Sequence, residues 1–200
     1  MLSIRLLKPL LWIWLAGPLI ELALRAVLDG LGANPQESLL RALGQQTLFL
    51  LLLVVAYPLL ASGLSQDARV AWIGCRRMVG LWCFGYATIH LLAYWQFEHD
   101  LQWAPMGRDL VTRPFVTVGV LGWAALLPLA LTSNRWSMRV LKGGWKRLHR
   151  SLLWPVVGLG LVHFFLHKAG KNDFWEPLLF SGILVMLLGA RWSARGRQAP

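Results

Sequence analysis

Charge is scarce in this chain. Only 14% of its 200 residues are Asp, Glu, Lys or Arg, while 56% are hydrophobic; an ordinary soluble domain is about 25% charged. One soluble core of this length has no room for that much apolar surface, so a water-soluble globular domain is excluded. Acids are scarcer still, nine against 20 Lys and Arg, for a net charge of +11. Cysteine is nearly absent. Cys75 and Cys83 stand eight residues apart, a little over two helical turns, too far for an unstrained disulfide within one helix. They read as reduced, buried structural thiols. No internal repeat, low-complexity tract or phosphate-cradling glycine fingerprint after a strand is present. The length suits one domain.

What the chain does contain is long apolar runs. Residues 47–64, 78–97, 115–133 and 151–166 carry no formal charge, and a bilayer-crossing helix needs about 20 mostly apolar residues. Two weaker runs flank these. The first carries Glu21 and Arg25, which can pair on one helix face at i,i+4; the last is bounded by Trp175 and Trp192, residues suited to the membrane interface. The N-terminal run lacks a small-residue cleavage site and is too long for a signal peptide. The expected fold is all-α, a polytopic membrane protein with a bundle of six transmembrane helices and both termini cytoplasmic. The approximate spans are 9–28, 47–64, 78–97, 115–133, 149–167 and 175–192, in a single transmembrane domain over 1–200.

Charge placement supports that topology. With both termini inside, the inner segments hold 14 basic residues against one acid, and the outer segments six bases against eight acids. The split of +13 and −2 recovers the net charge and follows the positive-inside rule. The basic excess is therefore an orientation signal. It argues against a nucleic-acid partner, because the charges punctuate apolar runs and form no patch on a soluble scaffold.

Three of the five histidines lie in or against apolar helices. His90 stands alone as an ionisable residue in the third span, about 10 Å from its outer end at 1.5 Å per residue. His163 lies near the outer end of the fifth span. Consecutive spans alternate direction, so both rings fall at similar depth, the arrangement that axially ligates a b-type haem. His149 precedes His163 by 14 residues, about 21 Å and a rotation of roughly −40°, so it shares that face at the inner surface. Fourteen residues before His90 stands Arg76, not histidine. The inner level therefore pairs one histidine with Arg76 and Arg77, which can hold a haem propionate or flavin phosphate but cannot ligate iron. His149 lies in a basic stretch with Lys146 and Arg147 that suits the same anionic groups or anionic lipid. His167, one turn beyond His163, is the lesser candidate ligand. His99, beside Glu98 and Asp100, reads as a solvated loop residue, and the glycines read as helix-packing positions.

Several strings then carry a resemblance. They are Arg76-Arg77-Met78-Val79-Gly80-Leu81-Trp82 leading to Thr88-Ile89-His90-Leu91, then Thr112-Arg113-Pro114-Phe115-Val116-Thr117-Val118-Gly119, and Leu131-Thr132-Ser133. With Gly32-Ala33-Asn34-Pro35, Trp145-Lys146-Arg147-Leu148-His149 and His163-Phe164, they resemble, in order and over nearly the whole chain, the MsrQ family of ferric-reductase-like transmembrane proteins. The resemblance implies a six-helix bacterial inner-membrane cytochrome b, the electron-transfer subunit of an oxidoreductase complex. It would pass electrons to MsrP, a periplasmic molybdoenzyme that reduces methionine sulfoxide in envelope proteins. It implies haem b and FMN as cofactors, and quinol or a cytosolic flavin reductase as donor. His90, His149 and His163 match the family's functional histidines, and the resemblance implies that all three are haem axial ligands.

Larger ferric and NADPH oxidases carry two histidines on each of two helices and an appended nucleotide domain. This chain has Arg76 at the fourth position and ends at Pro200, so it is not expected to take hydride from NAD(P)H itself. The competing expectations are a stand-alone ferric or oxygen reductase and a non-redox scaffold or transporter whose histidines relay protons.

Overall fold

The computed structural model describes residues 4–28 and 30–196, with side chains for 7–28 and 30–194. Of the charges counted above, Asp29 and Arg197 and the side chains of Arg5 and Arg195 lie outside the described residues. Eight helices follow one another: α1 Ile4–Leu28, α2 Pro35–Leu60, α3 Gln66–His99, α4 Trp103–Thr112, α5 Pro114–Leu131, α6 Arg135–Leu141, α7 Gly143–Ala169 and α8 Trp175–Gly196. Among the described residues there is no strand. Six helices (all but α4 and α6) are long and apolar enough to cross a membrane.

Helices α2, α3 and α5 begin or end where local chemistry requires it. The Asn34 side chain accepts the Glu37 backbone N–H, and Pro35 occupies the first helical position of α2, where its missing N–H costs nothing. Helix α3 stops at Asp100 in the left-handed region, φ 47°. Arg113 is extended before Pro114, as the proline ring demands of its predecessor. Helices α2, α3 and α7 overrun the apolar runs at one or both ends, because a helix continues through the polar interface until a cap ends it.

Helix α2 is the buried centre, with Leu43, Leu50, Leu51, Val55 and Tyr57 in the core. It packs along α3, and α5 packs along α7; α3 meets α5 between these two pairs. Helix α1 flanks α2 and α3, where the Tyr86 hydroxyl donates to the Leu15 carbonyl at 2.8 Å. Helix α8 lies against α2 and α7. Large apolar side chains such as Val27, Val185 and Trp192 face outward at 67–81% exposure, an arrangement suited to lipid rather than water.

Pro58 leaves the Val54 carbonyl without its helical donor, and the Arg76 Nε donates to that oxygen at 3.2 Å. A break inside α2 is thus repaired by α3. Cys75 and Cys83 are free and buried. The two ends of the bundle differ in character. At the basic end lie α6 and the start of α7, where the Trp145 Nε1 donates to the Thr132 carbonyl at the end of α5 at 2.9 Å. The other end mixes both signs: Lys171 pairs with Glu37, Gln36 donates to Glu98 at 2.5 Å, and Arg113 lies 3.9 Å from Glu98.

Candidate functional site

His90 on α3 and His163 on α7 meet inside the bundle, ring centres 6.1 Å apart and planes at 84°. Each ring is tied to the helix beside it. His90 Nδ1 lies 3.0 Å from the Leu40 carbonyl on α2, and His163 Nδ1 lies 2.7 Å from the Phe115 carbonyl on α5. A carbonyl oxygen only accepts, so Nδ1 carries the proton and donates in both rings. Both lone pairs are thereby assigned to Nε2. A metal-bound histidine uses the same anchoring, giving its other N–H to a carbonyl or carboxylate.

The separation fits a shared metal. With a metal–nitrogen bond of about 2.0–2.1 Å and about 1.1 Å from nitrogen to ring centre, two opposed imidazoles place their centres about 6.3 Å apart. Among the described residues no group of three or more His, Cys, Asp or Glu could hold a bare metal ion. Two axial nitrogens suit a metal whose remaining ligands come from an organic ring. A cavity of about 440 Å³ surrounds the pair, walled by Leu48, Leu51, Ala87, Leu126 and Phe164. Its volume falls in the usual range for small-molecule sites, about 300–1,000 Å³.

The cavity reaches the mixed-charge end, where Glu37, Arg41, Glu98, Arg113, His167 and Lys171 border it. His167 sits there, exposed, its ring 5.5 Å from Phe115. Two networks brace this mouth. The buried Lys168 bridges Asp173 and Glu176, each at 2.6 Å, and Gln45 donates to Glu176 at 2.8 Å, fastening the α7–α8 turn to α2. The hydrogen bond from Lys168 holds the Asp173 carboxyl below the usual carboxylate range. Buried Asp109 accepts from the Tyr94 hydroxyl at 2.5 Å, sits 2.9 Å from the His99 Nε2 and pairs with Arg113 at 3.3 Å. Burial pushes its pKa upward, but Tyr94, His99 and Arg113 together outweigh burial and hold it low. His99 is therefore not a solvated loop residue. Its side chain is 8% exposed, because Asp109, ten residues on, returns on α4 to bond it.

The remaining sequence candidates stand at the basic end, apart from the cavity. His149 Nε2 meets the Thr132 hydroxyl at 2.9 Å, and its ring lies 4.1 Å from Trp145 at 31°. Arg76 is half-buried on the Val54 carbonyl, and exposed Arg77 reaches the Met138 sulfur at 3.9 Å. Lys146 and Arg147 are exposed. None of these four basic residues lines the cavity. The sequence reading did not single out Gly44 and Gly119, which lie against the two rings. The available signal was glycine within an apolar run, which ordinary helix packing also produces.

The fold and the site together define a polytopic helical membrane protein with paired histidines on facing helices. Residues 42–161 match the family described as ferric reductase like transmembrane component, a stretch that includes His90 and His149 and stops just short of His163. A protein-methionine-sulfoxide reductase heme-binding subunit MsrQ of Bordetella pertussis is 39% identical over 194 residues, 95% of this chain and 92% of that protein. The MsrQ of Caulobacter vibrioides is 39% identical over 188 residues, 93% and 87% of the two chains. That of Herminiimonas arsenicoxydans is 37% identical over 201 residues, 98% and 90%. The chain belongs to the ferric-reductase-like transmembrane family and, within it, to MsrQ.

Proposed function

We propose that this chain is a b-type cytochrome of the bacterial inner membrane, an electron-transfer subunit with His90 and His163 as axial ligands of haem b. The observation that carries the reading is the paired anchoring: both Nδ1 atoms donate to carbonyls, which leaves the lone pairs on Nε2, and the two rings stand 6.1 Å apart in the lining of one cavity. When bound, haem supplies a one-electron iron couple. The chain supplies the rest. It fixes ring orientation through two backbone carbonyls, lines the cavity around the rings with leucine and phenylalanine, and would hold the haem through both histidines, a ligation that would favour electron transfer over oxygen activation.

In this reading the whole chain is one transmembrane unit. The basic end and both termini face the cytoplasm, as the charge split favours, and the mixed-charge end faces the periplasm. Electrons come from the quinol pool or a cytosolic flavin reductase and leave at the cavity mouth to an MsrP-like periplasmic molybdoenzyme that reduces methionine sulfoxide. FMN, or a second haem involving His149, is assigned to the basic end, with Arg76, Arg77, Lys146 and Arg147 nearby for anionic groups. That level is about 21 Å along α7 from His163, so a second carrier there would relay electrons between the faces.

Pyridine haemochrome and optical spectra of the purified protein test the ligand assignment. The expected result is a low-spin b-type spectrum that is lost in both His90→Ala and His163→Ala. A low-spin spectrum unchanged in either variant would remove that histidine from the assignment.

A further inference from the structure

Each ligand histidine crosses its neighbouring helix at a glycine. We propose that Gly44 and Gly119 are positioning residues, leaving α2 and α5 bare where the His90 and His163 rings reach across to the carbonyls that orient them. This rests on the bis-histidine reading above and adds to it the residues that set the rings.

The two contacts follow one plan. Leu40, whose carbonyl takes the His90 proton, stands four residues before Gly44; Phe115, whose carbonyl takes the His163 proton, stands four before Gly119. Helical side chains lean toward the N-terminus and cover the preceding turn. Any side chain at 44 or 119 would therefore stand over the carbonyl that the ring must reach. A Cβ at Gly44 would lie 3.3 Å from His90 Cε1 and 3.6 Å from Nδ1, so the ring would have to yield slightly. A Cβ at Gly119 would lie 2.7 Å from His163 Nδ1 and 2.8 Å from Cε1, closer than real Cβ contacts come. The His163 ring has no free swing, since moving away surrenders its 2.7 Å bond to Phe115.

This crowding is specific to the rings. Gly85 on α3 and Gly158 on α7 share helices with the two histidines, yet a Cβ at either meets nothing within 4 Å. Gly122 and Gly160 would meet only leucine side chains, at 3.5 Å or more. Without its carbonyl a ring loses both its tautomer and its direction. Loss of such an outer partner typically costs about 10–100-fold in metal affinity.

The test compares Gly119→Ala and Gly44→Ala with the controls Gly85→Ala and Gly158→Ala, all in the full-length protein in detergent. Haem per chain, the low-spin optical bands and the electron paramagnetic resonance of the ferric form are read. Gly119→Ala is expected to weaken haem retention about 10–100-fold or to displace the low-spin resonance signature. Gly44→Ala is expected to do the same more weakly, and the controls to match the parent. A Gly119→Ala protein with parental haem content and resonance would overturn the proposal.

Thermal stability of Gly119→Ala in the parental and His163→Ala backgrounds gives a second reading that needs no haem. The alanine should destabilise the parent and have little effect once the ring is gone. The same holds if Gly119→Ala accumulates only in the His163→Ala background. An equal penalty, or failure to accumulate, in both backgrounds would overturn the inference. Should His163→Ala itself keep the low-spin spectrum, the ligand reading fails, while this stability comparison still decides whether Gly119 positions the ring.

Discussion

His149 and His163 lie on one face of one helix, 14 residues apart, and the structure treats them in opposite ways. His163 spends Nδ1 on a backbone carbonyl and keeps Nε2 free. His149 has Nε2 engaged by the Thr132 hydroxyl and its ring packed beside Trp145. His163 faces a second histidine; the basic end offers His149 none, and Arg76, at the position corresponding to a partner, is turned to the Val54 carbonyl. Residue type and helical phase therefore nominate a ligand, but the occupied ring nitrogen decides whether it is available.

The largest expected effect separates the two levels directly. Beside the total loss expected for His163→Ala, His149→Ala should retain the haem held by His90 and His163 at parental stoichiometry while slowing reduction from the cytoplasmic donor. Loss of that haem in a stable His149→Ala protein would erase the distinction between the levels.

A smaller effect concerns Arg76. If it serves chiefly to repair the Pro58 break, Arg76→Leu should cost about 1 kcal/mol of stability, within the range for interhelical hydrogen bonds in membranes. In a Pro58→Ala background the restored N–H serves the Val54 carbonyl, and the cost should shrink. An undiminished cost in that background would assign Arg76 to another task at the basic end.

The smallest effect lies at the mouth and appears only in acid. Asp109 is held below its ordinary value, so its stabilising contribution is complete above about pH 3.9 and fades as pH falls through the lower folded value. The melting-temperature advantage of the parent over Asp109→Asn should therefore narrow as pH falls below about pH 4. An advantage that persists undiminished well below about pH 4 would remove Asp109 ionisation as its source.

The six long apolar helices and the meeting of His90 with His163 were legible because both are written in local pattern: uncharged runs and the alternating direction of consecutive helices. Helix ends were less so. Hydropathy marks the hydrocarbon crossing, whereas α2 begins at Pro35 because of the Asn34 cap, a dozen residues before the uncharged run starts. The short helices α4 and α6 are too brief to show periodicity. His99 was misread because its partner, Asp109, is brought to it by a helix the pattern did not reveal. Gly44 and Gly119 were hidden for a related reason: the meaning of a missing side chain depends on what crosses it.

The carbonyl anchors have a consequence for assembly. The α3 ring takes its direction from α2, and the α7 ring takes its direction from α5. Each packed pair therefore finishes its own half of the grip, tautomer and orientation included, without reference to the other. What remains is the approach of two preset jaws across the α3–α5 seam, so one rigid-body distance governs the ligand gap. Capture of a planar guest at this seam would act as a rivet between halves, coupling cofactor loading to closure of the bundle.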